Sequence, residues 1–540
     1  MNTTDNSKNN QNNANNANNP LNVLYYENRE LELLKNAINI EAKKRGERIA
    51  QNPVMKDIIT VLEKFIRDKN LVCYGGTAIN NILPPTDQFY NRDLEIPDYD
   101  FFSPNAMNDA KALADIYFNQ GFSDVEAKAG VHYGTYKVFV NFFQIADITQ
   151  LDSKLFSSLK KNAIIKDGIH YSPPNFLRMA MYLELSRPGG DITRWEKVLK
   201  RLNLLNKNYP LKAEKCDPET FRHSLSARSK TKQYYYQKEV IQNVIKDIVS
   251  SDSLVYIGGY ANALYSRYLK NREKMYLNEI PEFDLLSNTP EKTAKKIKEE
   301  LEKKGVLSVS IQTKPSIPEY LSTHYEIKVG SQVVAYIYKP LACHSYNTIK
   351  LDGRIFRVAT IDTMMSFYLL FLYANRPYYN PRRTLCLCEY LFKIQQKNRL
   401  KMQGLLRRFS ITCYGKQKTL EDIRTEKSKQ YKKLKTKKNT NEYNKWFLRY
   451  NPESNKNNKP ISKVKKTKED LINEAKLALE AKAITSKAVI AELEKMDKAP
   501  SVGNKRPLSI KMSRSPSPSR STRSTRSTRS TGYLSRVLMN

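Results

Sequence analysis

Asp98 and Asp100 stand on either side of Tyr99. On a β-strand, residues i and i+2 point to one face, so the two carboxylates project together while Tyr99 turns away. Carboxylates this close repel unless a cation lies between them, and an all-oxygen donor set suits Mg2+ or Mn2+. A third acid from a neighbouring strand would complete a site for two ions. Asp147 is the candidate, because it interrupts the apolar run Ile145-Ala146-Asp147-Ile148, where an unpaired carboxylate is costly. Asp152, beyond that run, is the alternative. The second half of the chemistry lies upstream, where Leu71-Val72-Cys73-Tyr74 meets Gly75-Gly76-Thr77. A glycine pair between strand and helix lets a phosphate approach the backbone, the Thr77 hydroxyl adds a donor, and a helix N-terminus favours negative charge. The Walker A spacing is absent.

This pattern occurs twice. Leu94-Glu95-Ile96-Pro97-Asp98-Tyr99-Asp100-Phe101-Phe102-Ser103 nearly recurs as Asn278-Glu279-Ile280-Pro281-Glu282-Phe283-Asp284-Leu285-Leu286-Ser287. A glycine pair, Gly75-Gly76 or Gly258-Gly259, precedes each copy at almost the same distance. The chain therefore reads as a duplicated domain. In the second copy Glu282 replaces the first aspartate. Aligning Val334-Ala335-Tyr336-Ile337 with Ile145-Ala146-Asp147-Ile148 puts Tyr336 at the place of the third acid. A tyrosine does not replace a carboxylate on Mg2+, so the second copy is expected to be a catalytically dead scaffold.

The elements that must position these residues follow from periodicity and punctuation. Helices are expected at Leu21–Ile49, Val54–Ile66, Thr77–Leu83, Ala106–Phe118, Asn175–Leu185 and Ile192–Leu205. Asp98–Phe102 reads as a strand and Thr135–Ile148 as one or two buried strands. The second copy repeats the order: helix Lys238–Val249, a strand to Gly258-Gly259, the Glu-x-Asp strand, helix Glu291–Lys304, then strands at Leu307–Gln312, Glu326–Val329 and Val333–Tyr338. Apolar helices broken by Arg-Pro close both copies. The divisions expected are a disordered Asn-rich tail (1–20), N-terminal helices (21–70), the first copy (71–210), a helical connector (211–245), the second copy (246–395), a basic helical region (396–497, with a helix at Lys468–Met496) and a disordered basic Ser/Arg tail (498–540).

Composition fits a soluble globular protein with polar extensions: 540 residues, 40% apolar. Lys+Arg 91 against Asp+Glu 55 gives a net charge of +36, which favours a polyanionic, nucleic-acid partner. The basic segments lack an apolar helical face for a membrane surface. The longest apolar stretch, Met364–Ala374, is too short to span a bilayer, and the opening is Asn-rich rather than signal-like. Six scattered cysteines suggest reduced thiols. Cys386-x-Cys388 reads as part of an apolar helix, and neither its spacing nor that of the five histidines suits a structural metal.

Strand–Gly-Gly–helix, then Asp-x-Asp on a strand, then an acid on a later strand, resembles the DNA polymerase β-like nucleotidyltransferase superfamily. Within it, Tyr74-Gly75-Gly76-Thr77-Ala78-Ile79-Asn80-Asn81-Ile82-Leu83-Pro84 and Pro97-Asp98-Tyr99-Asp100-Phe101-Phe102-Ser103 look like the poly(A) polymerase catalytic subunits of large DNA viruses. The mimivirus type is most similar and the poxvirus type more distant. The resemblance covers about residues 22–395. It implies an α/β (α+β) fold class, with two tandem nucleotidyltransferase-fold copies, each a small mixed sheet with flanking helices. It implies ATP-dependent, template-independent extension of an RNA 3′ end with release of pyrophosphate, two Mg2+ or Mn2+ ions on Asp98, Asp100 and Asp147, and ATP near Gly75, Gly76 and Thr77. Lys137, on the next strand, is a further candidate for the triphosphate. A homodimer, no membrane, and a place in the virion and host cytoplasm are also implied. The rival readings are a CCA- or uridine-adding enzyme of the same superfamily and a non-catalytic RNA-binding protein.

Overall fold

The computed structural model describes residues 20–214, 216, 232–269, 282–351, 353–454, 472–473 and 475–481. Residues 1–19 of the first expected tail, all of the second, the repeat residues 278–281, part of the expected connector (215 and 217–231) and most of the expected Lys468–Met496 helix lie outside these residues. All described residues belong to one compact unit, Met1–Ile484.

Two mixed sheets dominate. The first contains β1 (Val72–Tyr74), β2 (Tyr99–Ser103), β3 (Glu126–Ala129), β4 (Thr135–Val140), β5 (Phe143–Gln150), β6 (Ile164–Lys166) and β7 (Ile169–Tyr171). The second contains β8 (Val255–Ile257), β9 (Phe283–Leu286), β10 (Val309–Lys314), β11 (His324–Val329), β12 (Gln332–Tyr338), β13 (His344–Leu351) and β14 (Arg354–Ala359). The orders β3-β4-β5-β2-β1-β7-β6 and β10-β11-β12-β9-β8-β14-β13 match strand for strand. Directions match too: β1·β2 and β8·β9 are antiparallel, β2·β5 and β9·β12 parallel. The duplication read from the glycine pairs and acidic motifs is a duplication of the whole sheet.

Local sequence explains the strands. β4 alternates half-buried and buried residues along its length, the period of a sheet with one covered face. It turns into β5 through Asn141 and Phe142, both left-handed (φ 49° and 68°), the geometry of a tight hairpin. Behind the first sheet lies the helix Pro53–Lys69. Asn52 caps it, and Met55, Ile58, Leu62, Phe65 and Ile66 form a buried stripe at spacings of three and four. Burying each such side chain contributes about 1.5–3 kcal/mol. The helix Ala106–Asn119 covers the same face, with Tyr117 donating to the Ile58 carbonyl at 2.6 Å.

The two copies meet through helices. Pro174–Leu185 of the first packs against Ile361–Phe371 of the second, and the Ser345 amide donates to the Ser186 carbonyl at 2.8 Å. The basic segment after residue 396 joins them again. Its β15 (Cys413–Tyr414) adds to β13 of the second sheet, and its β16 (Arg449–Tyr450) adds to β3 of the first. Between them lie the helices Leu420–Leu434 and Asn441–Phe447. The expected helical region is therefore also a strap that supplies an edge strand to each sheet.

Two expectations need correction. Four cysteines are paired, as Cys216–Cys386 and Cys343–Cys413, leaving Cys73 and Cys388 free and buried. Pairs 170 and 70 residues apart meet only through the tertiary fold, so their scattering in sequence misled. Strands β3, β6, β7, β13 and β14 were also missed. The β6–β7 hairpin turns on Asp167-Gly168, an Asp-Gly signal with both residues left-handed (φ 52° and 75°). Cys386 and Cys388 do lie on the helix Pro381–Lys397.

Candidate active site

The acidic residues gather on the front of the first sheet. Asp100 and Asp147 are direct partners on the parallel strands β2 and β5. Directly paired residues on neighbouring strands project from one face. Tyr99 points the other way, where its hydroxyl donates to Glu63 at 2.5 Å. Asp98 is exposed and immediately precedes β2. The Thr77 hydroxyl donates to its backbone carbonyl at 2.6 Å, tying the acidic motif to the helix Gly75–Ile82. Thr77 is buried, so it positions Asp98 rather than offering a free hydroxyl. Asp152 drops out as the alternative third acid, because its carboxylate caps the helix Ser153–Lys161 by accepting from the Lys154 and Leu155 amides.

Each glycine makes room for a specific side chain. Gly75 is left-handed (φ +73°), and a Cβ there would lie 2.4 Å from Asp100 Oδ2. A Cβ on Gly76 would lie 2.9 Å from both the Arg201 guanidinium and the Tyr90 hydroxyl. Arg201 lies over the Phe89 and Tyr90 rings, and Asn80 fixes that loop by accepting from the Phe89 and Tyr90 amides at 2.8 Å.

The electrostatics are those of crowded carboxylates. Burial first, then the negative charges of Asp98 and Asp147, push the Asp100 carboxyl up to about 7. Burial also raises Asp147, with Lys137 acting in the opposite direction. Lys137 Nζ stands 3.2 Å from Asp147 Oδ2 and 2.8 Å from Gln144 Oε1, while Gln144 donates to Asp147 Oδ1 at 3.0 Å. Among the described residues, no three His, Cys, Asp or Glu side chains converge closely enough to hold an ion as they stand. The donor set still fits hard divalent cations: it is all oxygen, and its carboxylates are destabilised by one another and by burial.

Sequence reading missed the cations facing these acids. Arg194, Lys197 and Arg201 follow at spacings of three and four along Trp195–Asn208 and the residue before it, so they share one helical face. The charge of Arg194 acts on Asp100, and that of Asp98 acts on Lys197. Arg201 lies against Gly76. The signal was a run of basic residues on an amphipathic helix downstream of the last acid.

The second copy is filled where the first is open. Tyr336 pairs with Asp284 across parallel strands, as Asp147 pairs with Asp100. Its hydroxyl donates to Glu326 at 3.0 Å, and Glu326 pairs with Lys314 and Lys328 at 2.7 and 3.2 Å. Glu326 itself occupies the register position of Lys137. Glu282 is buried against Arg383 at 3.1 Å. Burial, with Glu282 next, holds Asp284 well above the usual carboxylate range.

What these elements define is one mixed-sheet fold repeated in tandem, one copy carrying three acids and the other lacking the third. Residues 60–191, which include both acidic strands and the glycine turn, match the family model for the poly(A) polymerase catalytic subunit. A protein of Acanthamoeba polyphaga mimivirus described as a poly(A) polymerase catalytic subunit is 31% identical over 198 residues, 35% of this chain and 33% of that one. One from African swine fever virus with the same description is 31% identical over 159 residues, 28% of this chain and 33% of that one. The matches span about a third of these relatives' own length. The crystal structure of the Megavirus polyadenylate synthase superposes with a TM-score of 0.67 at 20% identity, covering 84% of this chain and 89% of that one. The resemblance read from the residues holds, and so does the tandem fold. Among the described residues, no helix is long and apolar enough to cross a membrane.

Proposed function

We propose that this chain is a polynucleotide adenylyltransferase that extends RNA 3′ ends from ATP without a template. The observation that carries the reading is the pairing of Asp100 with Asp147 on parallel strands, with Gly75 cleared for the Asp100 carboxylate. In the reaction, the RNA 3′ oxygen bonds to the α-phosphorus of ATP, the α–β phosphoanhydride breaks, pyrophosphate leaves and the hydroxyl proton is lost. Asp98, Asp100 and Asp147 would hold two Mg2+ or Mn2+ ions, which when bound activate the hydroxyl and neutralise the developing negative charge.

The chain's own residues do the positioning. Thr77 holds the acidic motif against the glycine helix, and Tyr99 anchored on Glu63 holds β2 from behind. Arg194, Lys197 and Arg201 offer the triphosphate a cationic wall, and Lys137 offers another charge from β4. Fixed charges in a partly buried site stabilise a transition state without reorganising. The same reading carries a homodimer, and a place in the virion and host cytoplasm.

The test is purified protein with a labelled oligoribonucleotide, Mg2+ or Mn2+, and each of the four ribonucleoside triphosphates separately. Extension with ATP and not with CTP or UTP is expected. Preferential addition of CTP or UTP would contradict the adenylate assignment.

A further inference from the structure

The first sheet carries a line of cations leading away from its acids. Arg449 on β16 is paired with Lys128 on β3, Lys128 with Lys137 on β4, Lys137 with Asp147, and Asp147 with Asp100. Paired residues on adjacent strands share a face, so these five side chains form one row across the front of the sheet. Strands lie about 4.8 Å apart, so Arg449 stands about 14 Å from Asp147. Lys128 lies over the Phe139 ring at 3.9 Å and pairs with Glu126 at 3.1 Å; Arg449 is exposed.

The strap that supplies Arg449 borders this row. Residues 416–450 hold twelve Lys or Arg against four Asp or Glu, and most of those cations are exposed. The strap is docked rather than loosely draped. Lys427 donates to the Gly130 carbonyl at 2.7 Å, the Ala129 amide to the Leu448 carbonyl at 2.9 Å, and Tyr450 to Asp115 at 2.6 Å. At the β3–β4 loop, Tyr133 meets Trp446 with ring centroids 4.4 Å apart, and Tyr133 remains 46% exposed. Fixed cations beside an exposed tyrosine ring packed against a half-buried tryptophan are what a single-stranded nucleic acid requires: charge for its phosphates and a flat face for its bases.

We propose that RNA upstream of the reactive 3′ end lies along this row, with phosphates on Lys128, Arg449 and the strap and a base against the Tyr133–Trp446 pair. The direction, 3′ end toward Asp147 and upstream nucleotides toward β16, rests on the polymerase reading above. The affinity for single-stranded RNA does not.

Two measurements on the full chain separate them. Fluorescence anisotropy without ATP compares wild type with the double variant Lys128→Gln/Arg449→Glu and with Tyr133→Ala, each checked by thermal melting. For an oligoribonucleotide of about 20 nucleotides the double variant should bind at least about tenfold more weakly. Its log affinity against log salt should be shallower by about 1.4, since each phosphate contact on a single strand contributes about 0.7. In extension assays both variants should raise KM for the long primer while leaving kcat, and KM for a trinucleotide primer, unchanged. Wild-type affinity and salt slope in both folded variants would overturn the proposal. So would an equal loss for trinucleotide and long primer, or binding of polyglutamate as tight as that of RNA. A wild-type protein that binds RNA along this row but adds no nucleotide would instead count against the polymerase reading alone.

Discussion

Tyr336 stands beside Asp284 at the register position that Asp147 holds beside Asp100. One side chain thus separates the two copies at the point where the third acid would sit. The neighbouring position is reversed as well, with Glu326 where the first copy has Lys137. The second copy therefore departs from the first in charge and in volume, while its strand order is kept.

Restoring the missing acid should not restore a site. Tyr336→Asp would bury a carboxylate between Asp284 and Glu326 without freeing Glu282 from Arg383. Introduced into Asp100→Ala protein, it is expected to give no extension and to lower the melting temperature. Recovery of extension would show that the second copy needs only its third acid.

Glu282 and Arg383 form a buried pair. Removing one partner leaves the other charge uncompensated, so Glu282→Ala should cost on the order of 3 kcal/mol. Single-nucleotide addition at saturating RNA should be nearly unchanged below the melting transition. Denaturant unfolding read beside a single-turnover assay checks both halves; loss of addition with normal stability would mean that the second copy takes part in the chemistry.

Cys216–Cys386 and Cys343–Cys413 leave two thiols, Cys73 and Cys388. Protein purified and denatured without reductant should titrate two thiols per chain. Reduction should lower stability by a few kcal/mol, roughly 2–5 for a native crosslink. Six titratable thiols in the denatured, unreduced protein would contradict the pairing.

How much of this was legible in sequence depends on how locally each feature is written. The acidic motif and its decayed copy were readable because strand side chains alternate with period two, so Tyr336 could be aligned with Asp147 by pattern alone. Arg201 was not readable, because its position over Gly76 depends on how a distant helix packs. The disulfides join residues with no local relation. β15 and β16 are two residues each, too short to show any period. Thr77 was legible beside the glycine turn, but only the fold shows its hydroxyl donating to the Asp98 carbonyl.

Burial lowers His344 to about 3 and His324 to about 4, so both are neutral in the fold over a range where the unfolded chain is protonated. Each therefore removes stability as pH falls below about 6.5, by up to about 1.4 kcal/mol per pH unit. Asp284, held high, acts with the opposite sign, so the difference between variant and wild type is the quantity to read. His344→Phe keeps an aromatic ring beside Phe367 and should gain stability relative to wild type between pH 6.5 and 4. A pH-independent difference in urea unfolding would contradict the assignment.

The central claim is that Asp98, Asp100 and Asp147 of the first copy form the reacting centre. Wild-type extension of a labelled oligoribonucleotide with ATP and Mg2+ or Mn2+ should vanish with chelator. It should fall by about a hundredfold to a thousandfold in each of Asp98→Ala, Asp100→Ala and Asp147→Ala, since a group stabilising a transition state contributes about 10²–10³. Melting temperatures should stay near wild type, because removing one of several crowded carboxylates relieves repulsion. Near-normal elongation by a folded Asp100→Ala protein would contradict the account.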